Sequence, residues 1–161
     1  MRIVEITGTP GASVVQDLSE GLRNIVDSDP DMEIVSSQVG DYDRATAEEV
    51  ATNVIQATGG DFDAIICHDD NMAMGVINAL KAADIKPTED VYVLGVDGTK
   101  EAKESIQKGE LSAVVTCTPM LGEDACEVIE KLMAGEDVSV QYYSEDVLYD
   151  ADNIEDYTNA F

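Results

Sequence analysis

Short β-rich apolar runs, each followed by a stretch with helical spacing, recur along the chain, and no other feature restricts its fold as much. RIVEIT at 2–7 precedes Val14, Val15, Leu18, Leu22, Ile25 and Val26, and MEIVSSQ at 32–38 precedes Val50, Ala51, Val54 and Ile55. AIICH at 64–68 precedes Met74, Ile77 and Leu80, while VYVLGV at 91–96 precedes a short helix around Glu101–Lys108. SAVVTC at 112–117 precedes a helix over 122–134 with Ala125, Val128, Ile129 and Leu132 on one face. A last strand is predicted over 141–148, before an acidic C-terminal tail at 150–161. Ser13 with Gln16, and Thr46 with Glu49, have the spacing of capping boxes, and DSDPD at 27–31 stops the first helix.

Strands such as AIIC and AVV lack polar alternation, which marks a parallel sheet buried on both faces. Right-handed crossovers then wind the units into an α/β, doubly wound three-layer lobe with a mainly parallel sheet of five to six strands. The 161 residues fit a single domain of this kind. In such sheets ligands bind beyond the carboxyl ends of the strands, so function is to be sought there.

Composition narrows the partners. The formal charge of −25, from 34 acidic and 9 basic residues, repels polyanions and argues against nucleic acid and anionic membranes. No apolar run approaches the ~20 residues that span a bilayer, and MRIVEITGT reads as a strand with no signal-peptide pattern. Cys67, Cys117 and Cys126 lack CxxC spacing, so neither a disulfide framework nor a zinc site is expected.

The strand ends carry the chemistry. TGTPGAS after the first strand gives a tight turn with Thr9 at its tip, but it lacks the third Gly of a dinucleotide fingerprint and the Lys of a P-loop. GDYDR, HDDNM and GVDGT close the next three strands, gathering Tyr42, Asp69, Asp70 and Asp97 on one rim. Carboxylates that accept from hydroxyls, beside an aromatic face, suit a polyol; the same aspartates suit helix N-caps, and one residue can do both. A receiver-like Mg²⁺-binding phosphoacceptor would also use such acids, but Thr116, Cys117 and Thr118 stand where it needs a Lys. His68 and Cys67 are strand neighbours pointing to opposite faces, which removes them as a nucleophile–base pair. No catalytic residue, metal or cofactor is predicted.

The order EITGTPGAS, EGLRN, GDYDR, HDDNMAMGVINALKAA, VLGVDGT and KGELSAVVTCTP resembles the C-terminal lobe of ribose-binding and related type I periplasmic sugar-binding proteins, over about the first 120 residues. Lactose-repressor-type regulators share this lobe, but there is no DNA-binding headpiece here. The resemblance implies a non-enzymatic carbohydrate receptor of an ABC importer that closes two lobes on a monosaccharide, a pentose or hexose, and delivers it to an ABC permease. By position, Asp97 matches the family's sugar-binding aspartate and Tyr42 its flanking aromatic. Asp69 stands where an Asn is usual, Thr9 lines the cleft and Cys117 takes the place of a polar hinge residue. Leu18 replaces an Arg that reaches the sugar.

The helix at 122–134 and the strand at 141–148 normally associate with the N-terminal lobe or hinge, which this sequence does not contain. The expectation is therefore a truncated or engineered lobe with weak or no sugar binding, and a possible homodimer through the face that would meet the other lobe. An isolated self-associating scaffold is the alternative. Family members work outside the cytoplasm; without a signal peptide, the chain as expressed is expected in the cytoplasm.

Overall fold

A computed structural model describes residues 1–119, 121–143 and 145–161. Its elements are β1 (Arg2–Thr7), α1 (Ser13–Val26), β2 (Glu33–Val39), α2 (Arg44–Thr58), β3 (Ala64–Cys67), α3 (Asp70–Ala82), β4 (Tyr92–Asp97), α4 (Lys100–Gln107), β5 (Ala113–Thr116), α5 (Gly122–Ala134) and β6 (Leu148–Asp150), followed by a 3-10 turn at Ile154–Asp156. One sheet runs β2-β1-β3-β4-β5-β6, with the first five strands parallel and β6 antiparallel. This is the doubly wound arrangement that the strand–helix alternation implies.

Alternation along β1 separates the two layers. Val4 and Ile6 join Ile65, Val93 and Val114 in a core shared with Ala51 and Val54 of α2, Met72, Val76 and Leu80 of α3, and Ala102 and Ile106 of α4. Glu5 points the other way, toward Ser19 and Arg23 of α1. On that second face Ile66, Leu94, Val96 and Val115 are only half-buried, and Leu148 beside Val115 is exposed. No described side chain of α5 is buried; Leu132 and Met133 are 56% and 85% exposed. The apolar side of α5 instead forms a groove with Tyr142 and Tyr143.

Three local expectations are corrected. Ser13 is the first helical residue of α1 rather than its cap: Ala12 holds that position in extended backbone, and α1 has no side-chain cap. Thr46 does not cap α2; Asp43 does, accepting from Thr46 N and Thr46 Oγ1 at 2.8 Å each. The last strand is displaced from 141–148 to Leu148–Asp150, and Ser144 lies outside the described residues. The four-residue β5 offers antiparallel partners only to Leu148, Tyr149 and Asp150, so the residues before Val147 have no ladder to join.

The acidic segment after β6 packs on the core. Ile154 and Tyr157 are 3% and 6% exposed, and Tyr157 stacks on Tyr149 with ring centroids 4.4 Å apart. Among the described residues no helix is long and apolar enough to cross a membrane.

Candidate functional site

The carboxyl ends of β1 to β5 form one rim. In the β1–α1 turn Gly8 carries no side chain because the Tyr42 ring lies over it; a methyl group there would collide with the ring. Thr9, next in the chain, is exposed at the turn tip, and its carbonyl accepts from Ala12 N at 3.3 Å. Asp41 and Tyr42 are consecutive non-glycine residues with φ of 57° and 58°, a conformation that folds the loop back over β1. Asn71 Nδ2 donates to the Tyr42 carbonyl at 3.1 Å and holds that loop against α3.

Asp69 and Asp70 divide the work at the start of α3. Asp69 is the N-cap, with Oδ1 accepting from Met72 N at 2.7 Å, which leaves its second oxygen for the rim. Asp70, 2% exposed, turns inward and accepts on Oδ2 from Gly98 N (2.9 Å), Thr99 N (2.8 Å) and Thr99 Oγ1 (3.0 Å). It is a clamp between α3 and the β4–α4 turn, a role that its place on the rim did not disclose. Asp97 ends β4 with φ of 116°, and its carbonyl accepts from Cys117 N at 2.9 Å. Among the described residues its carboxylate accepts no hydrogen bond.

Electrostatics ties these groups together. Burial pushes the Asp97 carboxyl up to about 7, with the Asp70 and Asp69 charges adding to the rise. Burial likewise carries Asp70 to about 6 against the pull of its hydrogen bonds, and raises Asp69. The Tyr42 hydroxyl is raised by burial and then by Asp69 and Asp97, and the exposed Cys117 thiol by burial, Asp97 and Asp146. Tyr42, Asp69, Asp97 and Cys117 thus share one electrostatic neighbourhood, whereas Thr9 follows Gly8, over which the Tyr42 ring lies. Near neutral pH the Asp97 carboxyl divides between acid and carboxylate, so it can donate to or accept from a hydroxyl. Among the described residues no group of three or more His, Cys, Asp or Glu side chains is arranged to hold a metal ion.

His68 is engaged elsewhere. Its Nε2 lies 3.2 Å from Glu5 Oε1 in a buried cluster with Ser19, Arg23 and Ser37. Cys67 is fully buried, and burial, with the Asp69 and Asp70 charges, pushes its thiol far above the usual range, so it remains unreactive.

Known proteins resemble this chain in sequence and fold. The galactofuranose-binding protein YtfQ of Escherichia coli (strain K12) is 34% identical over 132 residues, covering 81% of this chain and 42% of its own length. The ribose import binding protein RbsB of Bacillus subtilis (strain 168) is 33% identical over 138 residues, 85% of this chain and 43% of that protein. The periplasmic binding protein component of the arabinose ABC transporter from Shewanella sp. ANA-3, bound to α- and β-L-arabinofuranose, superposes with a TM-score of 0.89 at 29% identity, covering 96% of this chain and 52% of that one. The chain thus spans about half the length of the curated relatives it matches. The family model described as periplasmic binding protein domain matches residues 1–137, most of the chain, and this chain belongs to that family.

Proposed function

We propose that this chain is the carbohydrate-binding lobe of an ABC-importer solute-binding protein, working outside the cytoplasm without catalysing a reaction. Its ligand is a neutral monosaccharide, held by Asp97 and Asp69 through hydroxyl hydrogen bonds and by Tyr42 against the apolar face of the ring. Thr9 and Cys117 flank the sugar. The observation that carries this reading is the convergence of Tyr42, Asp69 and Asp97 at the carboxyl edge of the sheet, with the Tyr42 hydroxyl raised by its burial and then by the charges of both aspartates. The names of the relatives, which bind galactofuranose, ribose and arabinofuranose, support a pentose or a five-membered ring.

The 161-residue chain presents one wall of a cleft. If a complete receptor binds at about 1 μM, half the contacts leave millimolar affinity. A sugar with a Kd of about 2 mM, supplied at ~10 mM, adds about 1 kcal/mol and lifts the melting midpoint by roughly 3 °C. Thermal unfolding against a panel of pentoses and hexoses tests this. A shift confined to one or two sugars and abolished by Asp97→Ala is expected; no shift for any sugar refutes binding by this lobe.

The exposed apolar side of α5 favours a second reading, a scaffold lobe whose one interaction is with a second copy of itself. A dimer in sedimentation velocity, together with no sugar response, would decide for it.

A further inference from the structure

The Asp97 backbone is in a region that non-glycine residues rarely occupy, and such a conformation persists only where its surroundings over-determine it. The surroundings here are specific. The amides of Gly98 and Thr99 donate to Asp70 Oδ2 at 2.9 and 2.8 Å, and Tyr157 Oη donates to the Gly98 carbonyl at 2.6 Å. The Asp97 carbonyl takes the Cys117 amide. The peptide groups around Gly98 are thus held from α3 on one side and from the C-terminal segment on the other.

Tyr157 is itself fixed. Its ring is buried against Tyr149, and its carbonyl accepts from Lys103 Nζ at 2.5 Å. Four residues on, the segment stays with the same helix, since Lys100 N donates to the Phe161 carbonyl at 2.8 Å. We propose that Tyr157 and Asp70 are positioning residues of the sugar site: they hold the Asp97–Gly98–Thr99 turn so that the Asp97 carboxyl stands on the rim instead of relaxing away from it. This rests on the reading of Asp97 as a ligand group, and it assigns the segment after β6 a part in recognition.

Tyr157→Phe, made in the full 161-residue chain, removes one hydroxyl and keeps the ring. Two NMR readouts need no sugar: the three-bond HN–Hα coupling of Asp97, which follows φ, and the titration of its carboxyl carbon. We expect the coupling to change and the titration midpoint to fall toward that of an ordinary aspartate, while Tyr149→Phe alters neither. A lower melting temperature with coupling and titration unchanged would mean that Tyr157 only fills the core, and the proposal would be overturned. Asp70→Asn loosens the same turn from the other side; its coupling at Asp97 decides the matter if Tyr157→Phe does not fold, a change supporting the proposal and no change overturning it. For any sugar that stabilises the parent chain, Tyr157→Phe should weaken affinity about fivefold, the value of one hydrogen bond. If no sugar stabilises the parent, the ligand reading fails, and the coupling and titration still decide whether these residues position Asp97.

Discussion

Glu5 has 0% exposure and is the only acidic residue of β1, yet it is ionised. Burial alone would raise its pKa; hydrogen bonds from His68, Arg23, Ser19 and Ser37 outweigh that and hold the carboxyl well below the usual range. Arg23 Nη2 lies 2.9 Å from Oε2, and the Ser19 and Ser37 hydroxyls donate at 2.6 Å to Oε1 and Oε2. Replacing Glu5 by Gln keeps the volume but sets an amide against these donors and removes the counter-charge of Arg23. Arg23 is 41% exposed, so the loss comes mainly from the Ser19, Ser37 and His68 partners left mismatched, about 2 kcal/mol or roughly 6 °C in melting midpoint, measurable by circular dichroism. Nothing in RIVEIT announces this cluster, because its members come from α1, β2 and the end of β3. The rim aspartates were legible because a strand end is a place that periodicity alone can locate; the inward turn of Asp70 and the reach of Tyr157 were not, since both depend on contacts made far along the chain.

Among the elements, α2 and α3 make the closest helix pair, and Gly75 is the reason. A methyl group there would be driven into the Arg44 carbonyl oxygen and would stand 3.0 Å from Glu48 N, both backbone atoms of α2. Ala is the better helix former by about 1 kcal/mol, so on propensity alone Gly75→Ala should stabilise α3. Separating two packed backbones costs more than that, and a net loss of about 2 kcal/mol is expected in urea unfolding; a variant as stable as the parent would show that α2 shifts freely. The spacing of Met74, Ile77 and Leu80 marks α3 as a helix, but a close approach of two backbones leaves no periodic trace. The caps teach the same lesson: Asp43 prevails over the Thr46–Glu49 box because the chain turns at Asp41 and Tyr42, which puts the cap three residues earlier than the box requires.

For the whole molecule, 34 acidic residues against 9 basic ones leave most carboxylates without a cation, and the rim concentrates three of them. An unfolded aspartate ionises near pH 3.9, whereas Asp70 and Asp97 hold their protons to about 6 and about 7. Between these values the folded chain binds more protons than the unfolded one, so stability falls as pH rises through about 6 and about 7 and the loss is complete about one pH unit higher. Melting midpoints should therefore decline from pH 5 to pH 8. Added NaCl at ~0.5 M should recover part of that decline by screening the surface repulsion. A flat profile at low salt would mean that the rim carboxyls are solvated and ordinary.

The chain leaves the sheet after Thr116 and rejoins it at Val147, and the two departure points are tied together, with Thr116 N donating to the Val147 carbonyl and Val147 N to Thr116 Oγ1, each at 2.9 Å. Everything on the intervening arm, α5 included, begins and ends at one spot on the sheet margin. Lengthening or nicking this arm is therefore expected to leave the sheet closed, because both ends stay tied to β5.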